Sequence, residues 1–275
     1  MTDVLRHAAR SCLSTLLASR RREWPDERFG DSALVIAPHQ DDEVLGCGGT
    51  LLRKRDAGAD VHLVFMTDGA TSHARLMDPG RMRELRREEA LEAADVLGLA
   101  PGAVTFFDYP NRELHTRLED AAARILAILN EIGPTEVLTP WRYEPPTDHA
   151  AAFAATALAL RRYSASVVVH EYPVWLWQQW PWCRPEHYQP PGRRAWWRAQ
   201  LAANRALFSD FMTSVDVRDV ASRKELALEQ HRSQTTRLMD DPGWGVLADV
   251  CGGEFVERLF QPFEVFKTTL RSDDL

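Results

Sequence analysis

Strands and helices that alternate along most of the chain predict an α/β fold built on a mostly parallel sheet. Three observations carry this. Short apolar runs recur between residues 32 and 172; longer stretches with helical spacing lie between them; and the helical stretches tend to end at glycine, which takes the left-handed conformation of a helix terminus at little cost. Parallel neighbours need a crossover, and right-handed βαβ units supply it. The first strand is expected at Ser32–Ala37. A helix follows over Leu45–Ala57, stopped by Gly58, and Val61–Met66 forms the second strand. Arg81–Leu97 reads as a helix ending at Gly98, and Val104–Phe107 as a short strand. Leu118–Ile132 is a helix rich in Ala, Leu and Ile that stops at Gly133-Pro134. Glu136–Thr139, Asp148–Leu160 and Ser166–His170 continue as strand, helix and strand.

The pattern changes after Tyr172. Residues 173–197 hold six of the nine Trp and five of the sixteen Pro, which excludes a continuous helix. Helical spacing returns at Ser222–Arg237 and a mixed tail follows. There is no internal repeat and no Gly/Ser-rich linker, so the expected organisation is one domain over 1–275. Its α/β core is 32–172, and 173–275 is a C-terminal elaboration.

Composition narrows the function classes. The 275 residues are 45% hydrophobic and 27% charged, as in a water-soluble globular chain. A net charge of −7 argues against a nucleic-acid partner, which wants a basic footprint. No apolar run reaches the ~18 residues of a membrane span. Arg6, His7 and Arg10 precede a short apolar stretch broken by Ser14 and Thr15. That favours an amphipathic helix over a secretory leader, and a cytoplasmic protein. The four cysteines, at 12, 47, 183 and 251, form no C-x-x-C pair and are expected as reduced, mostly buried thiols.

In open parallel sheets ligands bind beyond the carboxyl ends of the strands. After the first strand comes Pro38-His39-Gln40-Asp41-Asp42-Glu43. Three acids in a row repel one another unless a positive charge sits among them, and a divalent cation would supply it. After the fourth strand, Thr147-Asp148-His149 offers a second imidazole. A His-Asp-His set leaves coordination positions open for water and substrate, the catalytic pattern for zinc. The competing reading is an acidic helix N-terminus that only complements the helix dipole. Gly46-x-Gly48-Gly49 does not read as a dinucleotide fingerprint, because carboxylates occupy the turn where a pyrophosphate would lie.

Residues 38–43 resemble the PHxDDE signature of the PIG-L/LmbE-like N-acetylglucosaminyl deacetylase family. Supporting similarities run along the chain: Leu45–Thr50, Thr67-Asp68-Gly69, the R-x-x-E of Arg86 and Glu89, Phe107–Leu114, and Thr147–His149. The resemblance implies a Rossmann-like three-layer sandwich and a zinc-dependent hydrolase, although imidazole and carboxylate also accept other divalent ions. It implies His39, Asp42 and His149 as metal ligands and Asp41 as general base. The substrate would be a small N-acetylated amino sugar or glycoconjugate. Arg86, Asp68, Asn111, His73 and His231 are the candidate substrate-binding residues.

Two departures stand out. Relatives often carry H-x-D-H where this chain has Pro146-Thr147-Asp148-His149, and proline has no side-chain donor for an oxyanion. His73 and His231, the latter within an H-x-S-Q element, are the candidates to replace it. Asn111 stands where many relatives have Asp. These departures keep two alternatives open: a sugar- or metal-binding protein without turnover, and an amidase acting on a secondary metabolite. The Trp-rich segment is expected either to wall the pocket, to pack an irregular lobe, or to form a homo-oligomer interface.

Overall fold

The computed structural model describes residues 3–184 and 193–270, with backbone only for 3, 193–197 and 199. Eight strands form one sheet: β1 Arg22–Glu23, β2 Ala33–Ala37, β3 Val61–Thr67, β4 Val104–Tyr109, β5 Glu136–Pro140, β6 Val168–Tyr172, β7 Thr213–Asp216 and β8 Phe263–Thr269. Their order is β1-β7-β8-β6-β5-β2-β3-β4. The run β6-β5-β2-β3-β4 is parallel throughout, and β8 is antiparallel to both β6 and β7. The helices are α1 Asp3–Arg20, α2 Asp42–Asp56, α3 Pro79–Val96, α4 Leu118–Ile132, α5 Thr147–Leu160, α6 Arg193–Ser209, α7 Ala221–Gln230, α8 Arg232–Thr235 and α9 Glu254–Leu259.

Strand alternation makes the three layers. Ala33, Val35 and Ala37 of β2 pack with Leu51 of α2 and Ala90 of α3 on one face, whereas Leu34 and Ile36 pack with Ile125 of α4 and Ala152 of α5 on the other. Both faces are covered, so β2 is buried at every position and reads as a continuous apolar run. Each large aliphatic side chain so buried contributes about 1.5–3 kcal/mol. This is the Rossmann-like sandwich expected from the sequence.

The C-terminal region departs from expectation in two ways. Beyond residue 173 it is more than an appendage, because β7 and β8 extend the sheet itself. The helix expected over Ser222–Arg237 is broken at His231, whose φ/ψ of −75°/58° separates α7 from α8. The strand expected at Ser166–His170 lies two residues further on. Of the Trp-rich segment, Trp177 and Trp182 are buried in the core, and Trp175 borders the cavity described below. Residues 185–192 and the side chains of Trp196 and Trp197 lie outside the described part.

The glycines of α2 serve packing. The helix is kinked at Cys47, which releases the N–H groups of Gly49 and Thr50 to the Glu264 carboxylate of β8, at 2.8 Å each. A Cβ on Gly46 would lie 2.2 Å from the Tyr172 ring, and one on Gly49 would lie 2.5 Å from Val217. Among the described residues no helix is long and apolar enough to cross a membrane, and the cysteines are free.

Candidate active site

The carboxyl ends of β2, β3, β4 and β5 open on one edge of the sheet, around a cavity of about 700 Å³. Thr67, at the end of β3, clamps the end of β2: its N–H and its hydroxyl both donate to the Pro38 carbonyl, at 3.0 and 2.8 Å. Gln40 reaches back to the Thr67 carbonyl at 2.7 Å. The turn between β2 and α2 is thereby fixed before its side chains do anything else.

His39 and Asp42 flank this turn, and His149 projects from the first turn of α5. Their donor atoms lie within 4.8 Å of one another. One oxygen, Asp42 Oδ2, is 3.1 Å from both His39 Nδ1 and His149 Nε2. His39 Nε2 is 3.3 Å from Asp148 Oδ2. His149 is fully buried, with Asp42 and Glu144 standing 3.1 and 3.4 Å from its two ring nitrogens, without the alignment of a hydrogen bond. Two imidazoles converging on one buried carboxylate oxygen, with both ring nitrogens of His149 lacking a hydrogen bond, fit a divalent cation of the zinc type.

The electrostatics say the same. Burial alone would lower the His149 imidazole, but Asp42 and Glu144 overcome it and push the pKa up to about 10. His39 is also raised, because Asp148 and Asp42 outweigh its burial. Burial would raise Asp42, yet His149 and His39 hold it well below the usual carboxylate range. In the metal-free site, protons on the imidazoles provide the positive charge that the carboxylates demand.

Asp41 borders the same cavity but faces a different partner. Burial pushes its carboxyl up to about 6, chiefly against the opposing pull of Arg86. The Arg86 guanidinium is buried 3.6 Å from Asp41 Oδ2 and donates to the Gln40 carbonyl. Gly69, at φ +67°, makes room for it, since a Cβ there would lie 2.6 Å from Arg86 Cδ. The α3 sequence carries a signal for this: Arg86 and Glu89 fall on the same buried stripe as Met82, Ala90 and Ala93. Glu89 accepts from the Ser233 N–H and hydroxyl, at 2.9 and 2.7 Å. The R-x-x-E and H-x-S-Q elements are therefore in contact.

The other sequence candidates divide. Asn111 borders the cavity, and its Oδ1 is buried with no hydrogen-bond partner among the described residues. Asp68 does not border it; its carboxylate accepts from the Ala70 N–H and pairs with Arg83 at 3.0 Å. His73 is also behind the wall, stacked on Trp244 at 4.2 Å and donating to the Gly245 carbonyl. His231 is fully buried against Glu43, with 2.7 Å between Nε2 and Oε1. Neither histidine can therefore replace the donor missing at Pro146, which does line the cavity. Asp68, His73 and His231, expected as substrate contacts, do not line the cavity.

Sequence reasoning missed Glu144. Its carboxylate accepts the N–H groups of Val174, Trp175 and Leu176 at 3.2, 2.6 and 3.1 Å, and so ties the start of the Trp-rich segment to His149. An acid inside Tyr143-Glu144-Pro145-Pro146, just upstream of the second motif, was the available signal.

Comparison with known proteins agrees with this geometry. Residues 34–160 match the PIG-L family model, described as GlcNAc-PI de-N-acetylase. A 1D-myo-inositol 2-acetamido-2-deoxy-alpha-D-glucopyranoside deacetylase of Rhodococcus erythropolis is 27% identical, over 74% of this chain and 81% of its own. A 4-oxalmesaconate hydratase of Pseudomonas putida is 31% identical, over 42% of this chain and 47% of its own length. Among solved structures, the N,N'-diacetylchitobiose deacetylase of Pyrococcus horikoshii superposes with a TM-score of 0.61 and 20% identity, over 98% of this chain and 94% of that one, a likeness of fold. The matched segment contains His39, Asp41, Asp42, Arg86 and His149, so the similarity to the PIG-L family spans the whole candidate site.

Proposed function

We propose that this protein is a metal-dependent hydrolase that removes an N-acetyl group from an amino sugar or glycoconjugate. The observation that carries the reading is the convergence of His39, Asp42 and His149 on one point beside a buried carboxylate, Asp41, at the floor of a cavity. A relative named as a 2-acetamido-sugar deacetylase, aligned over 81% of its own length, supports the choice of bond.

His39, Asp42 and His149 would hold the ion, and zinc suits two imidazoles and a carboxylate. Such an ion supplies a water acidified toward neutrality and a positive charge facing the developing oxyanion. Asp41 then acts as general base and removes the water proton. A carboxyl near pH 6 is mostly ionised at neutral pH, yet acidic enough, once protonated, to return the proton to the leaving amine. Arg86 keeps that carboxylate turned toward the cavity. Asn111 and Arg112 on one side, and Trp175 and Leu247 on another, give a polar and an apolar wall for the sugar and its substituent. Amide plus water thus becomes amine plus acetate.

The hydratase relative favours a second reading, in which the same water adds to a carbon–carbon double bond. The two separate in one assay. The zinc-loaded protein, given N-acetylglucosamine conjugates including the inositol glycoside, is expected to release acetate and a free amine in equal amounts. Bound zinc without amine release from any of them would sink the deacetylase reading and leave hydration, or binding without turnover, in its place.

A further inference from the structure

Asp41 has a φ of 144°, a strained region that residues with a Cβ rarely occupy. Something must hold it there. Its N–H donates to Glu43 Oε2 at 3.0 Å, and the other carboxylate oxygen of Glu43 is 2.7 Å from His231 Nε2. Glu43 and His231 are both fully buried, and neither borders the cavity. His231 is itself anchored. It sits at the break between α7 and α8, and Ser233, two residues on, is tied to Glu89 of α3. One helical turn before Glu89, Arg86 lies 3.6 Å from the Asp41 carboxylate. The backbone of Asp41 is therefore held by Glu43 of α2, which His231 backs, and its side chain faces Arg86 of α3.

We infer that Glu43 and His231 are positioning residues for Asp41: their hydrogen-bonded relay holds the strained backbone that aims the base at the water. This rests on the hydrolase reading above. The physical argument is one of tolerance. A general base works within about 0.5 Å of its productive position, and a 1 Å error costs on the order of 100-fold. Relief of the strain at Asp41 would swing its carboxylate, while His39, Asp42 and His149 keep their own attachments. The relay should thus act on turnover and leave metal binding alone.

The test compares His231→Leu, which removes the donor at similar volume, with His231→Gln, whose amide N–H can occupy the place of Nε2. Each zinc-loaded protein is assayed for acetate release from the N-acetylglucosamine conjugates, with rates expressed per bound zinc. His231→Leu should lower kcat by about 10- to 100-fold with KM and zinc content nearly unchanged, and His231→Gln should recover most of the loss. A role in stability alone predicts instead a lower melting temperature with kcat per zinc intact, and that result overturns the inference. If His231→Leu does not fold, Glu43 provides the same contrast. Glu43→Gln can still accept from Asp41 and donate to the alternative His231 tautomer, whereas Glu43→Asp is one methylene too short to reach both. Gln should therefore outperform Asp; the reverse order counts against the relay. Should the wild type release no acetate, the hydrolase reading fails, and crystal structures still decide the geometry. Asp41 should leave positive φ in His231→Leu or Glu43→Asp, and its persistence near 144° in both refutes the relay.

Discussion

Two clusters of buried histidine and carboxylate occupy this sheet, and they differ in one respect. Near the amino end of β5, Glu136 faces Lys54 at 2.6 Å, Arg28 at 3.3 Å and His170 at 3.5 Å. At the carboxyl edge, Asp42, Glu144 and Asp148 face the rings of His39 and His149, and Arg86 pairs with Asp41. The first cluster carries its own cation. Lys54 also donates to the carbonyls of Arg28 and Asp31, at 2.9 Å each, so its ammonium is fully used. Burial keeps the His170 imidazole depressed there. In the second cluster both candidate ligand imidazoles are driven upward by Asp42, Asp148 and Glu144, and among the described residues no lysine or arginine side chain pairs with those three acids. Proximity of histidine to acid is thus a poor criterion for a metal site. What separates the two is whether a permanent cation already belongs to the set.

This contrast can be broken or sharpened in order of expected effect. Asp41→Asn should retain the metal and lose about 10²- to 10⁴-fold in kcat, measured by acetate release per bound zinc. Undiminished turnover would remove Asp41 from the mechanism. Lys54→Met strips the internal cation from the amino-end cluster and leaves Glu136 buried with weaker partners. It should cost about 3–5 kcal/mol in urea denaturation while zinc content stays the same. Equal effects on stability and metal binding would mean that the clusters are not independent. Glu144→Gln keeps an acceptor for the Val174–Leu176 amides but removes the charge facing His149. Zinc affinity should fall about 10- to 100-fold by chelator competition.

The smallest effect is the pH dependence of zinc binding. His149 keeps a proton up to about pH 10 in the metal-free protein, and a ligand imidazole must be neutral, so binding expels that proton. Affinity should therefore rise with pH, by about tenfold per unit for each proton displaced between pH 6 and 9. A flat profile would show that Asp42 and Glu144 do not protonate the site.

The parts legible in the sequence were those fixed locally. The alternation of apolar runs with helical stretches placed β2 to β6 and their helices, and the strand-end motifs placed His39, Asp41, Asp42 and His149. Strands β7 and β8 escaped because Thr213–Asp216 and Phe263–Thr269 mix polar and apolar residues and find their register against each other and against β1 and β6, far away in the chain. The surroundings of His73 and His231 escaped for a related reason: a histidine in or near a motif looks the same in sequence whether its ring meets a cavity or a buried partner. Arg86 and Glu89 were readable as a pair of charges on an otherwise apolar helix face. What they bind, Asp41 and Ser233, lies 45 and 144 residues away in the chain, a separation no local pattern encodes.

The central claim is that one cation belongs at the carboxyl edge and none at the amino end. Zinc content after dialysis, compared between wild type, His149→Ala and Lys54→Met, addresses it most directly. The account predicts about one ion per chain in wild type and in Lys54→Met, and essentially none in His149→Ala. Full zinc in His149→Ala, or its loss in a folded Lys54→Met, would contradict it.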